Sequence, residues 1–239
     1  MPPKNSVKLY LENGFYHLYN RGVDKRTIFQ DYQDYKVFLH YLKFYLSPQP
    51  TLSELLSTTA LVGVTPTKFP AQTRTPESLY GKISLLAYCL MPNHFHLQVK
   101  QKEPYAIAKL ILKVATNYSM YFNKKYKRVG HLFQGVYRAV LIDNDSQFLH
   151  LSRYIHLNPV SAGVTPTKVN EYPYSSYLDY LGLRNTSWLN TQEILSFFKT
   201  AQKTKIYDYS SYQSFVEDYQ KEENSPNLEG LILEDPEEE

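Results

Sequence analysis

A chain of 239 residues is long enough for one sizeable hydrophobic core with a smaller appendage beside it. Hydrophobic residues make up 43% and charged residues 21%, the balance of a globular chain, and no apolar run approaches the roughly eighteen residues of a spanning helix, which excludes a helical membrane protein. The net charge of +3 conceals an uneven distribution: residues 221–239 hold eight acids and one base, and without them 25 basic residues face 15 acidic ones, a body of +10. A basic body with an acidic tail suits a polyanionic partner, and the 23 tyrosines supply rings that can stack on unpaired bases as well as fill a core. Met1 to Asn5 lacks the apolar stretch of a secretory signal, and the single Cys89 cannot form an internal disulfide; both point to a reducing cytoplasm.

In chain order, the aromatic-rich stretch Phe15–Asn20 runs into Arg21-Gly22 and reads as a strand followed by a turn. Tyr32–Leu46 repeats apolar residues at helical spacing (Tyr35, Phe38, Leu39, Leu42, Tyr45, Leu46) and predicts an amphipathic helix. From about 47 to 82, Pro, Thr, Ser and Leu follow no sustained period, which reads as a long surface insertion. Ile83–Leu90 is continuously apolar, Met91-Pro92-Asn93 is turn chemistry and His94–Lys100 alternates, so a hairpin is expected with both strands near the sheet centre. Ala106–Tyr126 predicts a second long helix and Val136–Ile142 a fourth strand. A third helix, capped by Asp145 or Ser146, should run to about Leu157, because Pro159 disfavours helical geometry at Asn158.

Strand, helix, strand, strand, helix, strand is the ferredoxin-like order, an α+β fold in which an antiparallel sheet is backed by helices. Residues 1–171 are expected to form this domain and 172–221 a C-terminal helical appendage, with a helix over Thr191–Thr200 followed by the segment Tyr207–Tyr219. The acidic stretch 222–239 has the composition of a disordered tail.

Two short motifs can carry chemistry. On an alternating strand His94 and His96 share one face while Phe95 takes the other, so two imidazoles lie side by side as metal ligands do. The same spacing also arises when one histidine is buried and hydrogen-bonded and the other is exposed. Within Arg153–Val160, Tyr154 and Asn158 are four residues apart and share a helical face with His150 one turn earlier, presenting a hydroxyl nucleophile, an amide oxygen and an imidazole together. Simple packing by the tyrosine and a helix stop at Asn-Pro would account for the same residues.

Four blocks, in order, add to these motifs: Tyr16-His17-Leu18-Tyr19-Asn20-Arg21-Gly22, then Ala87 to Leu97 with Met91-Pro92-Asn93-His94-Phe95-His96, then Gly130-His131-Leu132-Phe133-Gln134-Gly135, then Arg153 to Val160 with Ala162-Gly163. Together with Tyr172-Pro173-Tyr174-Ser175-Ser176-Tyr177 they resemble the REP-associated tyrosine transposases, of the His-hydrophobic-His (HUH) endonuclease superfamily, over roughly residues 15–182. The resemblance implies a ferredoxin-like fold, a divalent metal (Mg²⁺ or Mn²⁺) and cleavage of single-stranded DNA beside a hairpin, in a cytoplasmic, nucleoid-associated protein active in DNA transposition. His94 and His96 match the two histidine ligands, Tyr154 the nucleophile and Asn158 the polar residue that completes the metal shell. Asn20, Arg21, Lys25 and Arg26 after the first strand, and Arg128, Gln134 and Arg138 around the fourth, are candidates for nucleic-acid contact, and His150 for an auxiliary base. The long insertion, and Val136 where the family often has a basic residue, depart from the pattern.

Two other readings compete: a module of the same architecture that holds single-stranded nucleic acid without cutting it, and a phosphodiesterase that activates water with Tyr154 only structural. A monomer and a homodimer are both compatible with the sequence. The hexapeptide Gly63-Val64-Thr65-Pro66-Thr67-Lys68 recurs identically at Gly163–Lys168, which suggests relics of short palindromic elements in the gene. Dissimilar codons at the two copies would sink that idea.

Overall fold

Alternating and continuous apolar segments assemble into one four-stranded antiparallel sheet in the order β2-β3-β1-β4, with β1 at Phe15–Arg21, β2 at Ile83–Met91, β3 at His94–Gln101 and β4 at Arg138–Leu141. The computed structural model describes residues 10–48, 78–164, 168–199 and 209–218. Most of the insertion, the first copy of the hexapeptide and the acidic tail lie outside them. Among the described residues no helix is long and apolar enough to cross a membrane.

Helices α1 (Tyr32–Leu46) and α2 (Ala106–Lys125) cover one sheet face, packing on Tyr16 and Leu18 of β1 and Phe95, Leu97 and Val99 of β3. Helix α3 (Asp145–Ser161) covers the other, where Leu149, Leu151 and Ile155 meet Leu86, Ala87, Cys89 and Met91 of β2. The strand period of two therefore sends the alternate residues of the central strands, His17, Tyr19, Arg21, His94, His96 and Gln98, to the face beneath α3. The α+β class and the ferredoxin-like strand order read from the sequence hold.

Four local expectations are corrected. The hairpin strand β2 lies at the sheet edge rather than near the centre. Its continuous hydrophobicity has another cause: the C-terminal segment takes the outer edge, with Leu90 N–H donating to Tyr174 O at 3.0 Å, Ser176 N–H to Tyr88 O at 2.9 Å and Asn190 N–H to Leu85 O at 2.8 Å. An edge covered in this way is buried like a central strand. Helix α3 does not stop at Leu157 but continues through Pro159 to Ser161. Proline forfeits one intrahelical bond, yet Pro159 is buried, and Ala162 N–H still reaches Asn158 O at 2.9 Å, so packing outweighs the local preference. The cap of α3 is Asn144, whose side chain accepts from Gln147 N–H at 2.9 Å, one residue before the expected Asp145 or Ser146. Strand β4 starts at Arg138, after Gly135 at φ 63° and the exposed Val136.

Ends of α1 and α2 are tied by a buried carboxylate. Asp34 is 0% exposed and accepts from Lys125 Nζ (2.7 Å), Tyr121 Oη (3.0 Å), Tyr126 Oη (2.9 Å) and Gln30 N–H (2.8 Å). Asp34→Ala takes the acceptor from Tyr121, leaves Lys125 and Tyr126 with the more exposed Asp31 alone, and should lower unfolding stability by about 3 kcal/mol, read from the urea midpoint. An unchanged midpoint would show that the network contributes nothing.

The segment after residue 168 adds short helices α4 (Tyr177–Tyr180), α5 (Gln192–Leu195) and α6 (Tyr212–Glu217), and Tyr177, Tyr180, Ile194, Tyr212 and Phe215 enter the same core as α3. At their junction His156 is fully buried, with Nδ1 2.7 Å from Tyr212 Oη and Nε2 2.7 Å from Ser176 Oγ. Burial, with a smaller contribution from Arg184, pushes its pKa down to about 3. In the unfolded chain histidine titrates near 6.5, so between those values the unfolded state binds a proton that the folded state refuses. Stability from His156 is therefore present above about pH 6.5 and falls on acidification by up to about 1.4 kcal/mol per pH unit. His156→Gln should flatten the loss of urea midpoint between pH 7 and pH 5; the same slope in both proteins would refute this.

Candidate metal and nucleophile site

The hairpin turn sets His94 at the start of β3, opposite Arg21, and His96 two residues on, opposite Tyr19. The two imidazole centroids are 4.8 Å apart at 85°. His94 is half-exposed, whereas His96 is fully buried. Burial, then the neighbouring His94 and His17, hold the pKa of His96 well below the ordinary imidazole range, so the ring is neutral and keeps a lone pair for a ligand.

Helix α3 lays its residues across this pair. Tyr154 is half-buried, with its ring 5.5 Å from that of His96 at 82°. One turn later, where the helix persists through the Asn-Pro step, the Asn158 amide nitrogen lies 3.5 Å from His96 Nε2. Asn158 Oδ1 is buried without a hydrogen-bond partner. Among the described residues no three of His, Cys, Asp and Glu gather where they could hold a metal ion on their own. A cation here would need a donor of another kind, and the Asn158 amide is the polar group within reach of His96 Nε2. Rotating the amide exchanges its oxygen and nitrogen, and 3.5 Å falls within the separation of about 3.0–4.2 Å between two donors on an octahedral cation with bonds of about 2.1 Å. The two imidazoles, of which His96 is held neutral, and the orphaned amide oxygen fit a divalent cation with open positions.

The remaining candidates separate by face. Arg21 and Arg138 stand opposite His94 and Tyr19 and so share the histidine face; Arg21 Nε donates to Gln134 Oε1 at 2.6 Å. Asn20 turns to the other face, where it lines a groove between α2 and the loop Gly130–Tyr137. Lys25 is exposed in the turn after β1, Arg26 Nε donates to Val23 O at 3.2 Å, and Arg128 donates to Asn123 Oδ1 at 2.9 Å at the end of α2. Gly22 is held by space: a Cβ there would lie 2.3 Å from Arg26 O. His150 pairs with the Arg153 guanidinium and packs 5.5 Å from Phe215 of α6, and burial followed by Arg153 lowers its pKa to about 4. Its neighbours are thus on the side of α3 turned to the C-terminal segment.

His17 and Tyr19 were missed as members of the site. His17 is fully buried, with Nε2 2.9 Å from His96 Nδ1, and the Tyr19 ring lies 6.0 Å from that of His96. The alternation His17, Tyr19, Arg21 was legible, but only the β1–β3 register aligns it with the histidine pair.

Residues 78–158, which include β2, β3 and the first part of α3 through Asn158, match the model of the family described as Transposase IS200 like. No curated protein matches the chain. Solved structures similar to it include one described as the REP-associated tyrosine transposase bound to a REP hairpin, at 12% identity and a TM-score of 0.47, covering 78% of this chain and 97% of that one. Another is a candidate transposase from Deinococcus radiodurans R1, at 13% identity and a TM-score of 0.34, covering 65% of this chain and 95% of that one.

Proposed function

We propose that this protein, whose residues 78–158 are an IS200-like transposase segment, is a metal-dependent single-stranded DNA endonuclease and strand transferase that works at hairpin elements through Tyr154. The observation that carries the reading is the convergence of Tyr154 and Asn158, from one face of α3, on the fully buried His96 of β3. A solved structure of similar description holds a REP hairpin, which supports a hairpin-bearing strand as substrate. The reaction is transesterification. Tyr154 Oη gives up its proton and bonds to phosphorus, the P–O3′ bond breaks, and the departing 3′ oxygen takes a proton. The products are a 5′-phosphotyrosine and a free 3′-hydroxyl, and attack by another 3′-hydroxyl reverses the step and rejoins strands. His94, His96 and Asn158 would hold the cation, which when bound relieves the charge that builds on the non-bridging phosphate oxygens. Arg21 and Arg138, on the same face, are suited to the flanking phosphates. A module that only binds needs neither the paired imidazoles nor the tyrosine beside them.

The test incubates the protein with 5′- and 3′-labelled single-stranded hairpins from the flanks of its gene, with Mg²⁺, Mn²⁺ or EDTA, on denaturing gels. A metal-dependent covalent adduct on the 5′ end of the downstream fragment is the expected result. Cleavage without an adduct would mean a water-using nuclease, and binding without cleavage a binding module; either overturns the reading.

A further inference from the structure

Both imidazoles of the site are held through Nδ1. His94 Nδ1 lies 2.6 Å from Asn93 Oδ1, an atom that only accepts, so a neutral ring carries its proton on Nδ1 and its lone pair on Nε2. His96 Nδ1 lies 2.9 Å from Nε2 of His17, with the rings 5.1 Å apart and nearly parallel at 21°. A bond between two ring nitrogens has two protonation patterns. If His17 donates from Nε2, a neutral His96 carries its proton on Nε2, the atom that faces Asn158, and has no lone pair there for a cation. With the donor and acceptor exchanged, His96 gives its Nδ1 proton to His17 and turns the Nε2 lone pair toward Asn158.

We propose that His17 is a positioning residue, which accepts the Nδ1 proton of His96 and thereby presents the His96 Nε2 lone pair beside Asn158 and Tyr154. This rests on the metal reading above. His17 then carries its own proton on Nδ1. Its cross-strand neighbour Gln98, on the same face, donates from Nε2 to Phe148 O (2.9 Å), while its buried Oε1 accepts no hydrogen bond from His17 or from any other described residue. An imidazole suits the place because both rings are fully buried, and a neutral acceptor orients His96 without bringing a charge into the sheet. The ring of His17 is also 6.4 Å from that of Tyr154, so the same side chain packs against the nucleophile.

Two measurements test this on the full chain. Long-range ¹H–¹⁵N NMR of the metal-free protein, with the rings assigned through His17→Gln and His96→Gln, should show Nδ1–H on both histidines; Nε2–H on His96 would overturn the proposal. Mn²⁺ titration followed by electron paramagnetic resonance should show affinity reduced about 10- to 100-fold in His17→Leu and largely recovered in His17→Gln, whose amide oxygen can accept the same proton. Matching thermal midpoints of the two variants would separate orientation of the ligand from a folding defect. Equal Mn²⁺ affinity in all three proteins overturns the role of His17. Should His17→Leu not fold, the wild-type tautomer and the affinity of His17→Gln decide the matter. If the wild type binds Mn²⁺ no better than a His94→Ala/His96→Ala double variant, the metal reading fails, and the tautomer still judges His17.

Discussion

Tyr154→Phe is expected to abolish the covalent adduct and to reduce strand cleavage by at least about 10³-fold, with little change in the thermal midpoint. The substitution removes one oxygen atom. It keeps the ring that packs edge-on against His96 and His17, so the helix should stay in register over the sheet. Adduct formation and cleavage must fail together if the phenol oxygen is the attacking atom, whereas a water-using enzyme would form no adduct in either protein and would keep its cleavage. DNA binding, measured by gel shift with the same hairpin, should persist within a few-fold, since Arg21 and Arg138 are untouched. Cleavage retained by Tyr154→Phe would move the nucleophile elsewhere.

His96→Ala should lose Mn²⁺ binding, by two orders of magnitude or more, and cleavage with it. Of the two strand histidines it is the fully buried one, within 3.5 Å of Asn158 and 2.9 Å of His17, so its removal disconnects both. Asn158→Ala should be milder, roughly 10- to 100-fold in metal affinity, because two imidazoles remain. The measurement is Mn²⁺ titration of the protein without DNA, followed by cleavage at saturating metal. Recovery of cleavage by Asn158→Ala at high Mn²⁺, without recovery by His96→Ala, would fit an amide that completes the shell around a histidine core. Unchanged Mn²⁺ binding in His96→Ala would place the metal, if any, elsewhere. The match of residues 78–158 to an IS200-like transposase family gives these expectations their context, and the geometry gives them their magnitudes.

Local pattern determined a good deal of this protein. The extents of α1 and β3 followed from the positions of apolar residues, and His94, His96, Tyr154 and Asn158 were legible because strand and helix periods place each pair on one face. Tertiary structure decided the rest, for reasons that no local pattern carries. Continuous hydrophobicity in Ile83–Met91 records burial but not what does the burying, and a C-terminal segment some 90 residues away along the chain covers that edge. Pro159 was read as a stop because the proline rule is local, while the bonds and packing that carry α3 through it are not. Whether two imidazoles face one another across a sheet depends on strand register, set by the whole β1–β3 pairing; thus His17, inside a segment already singled out by its aromatic residues, became part of the site only when β1 was laid against β3.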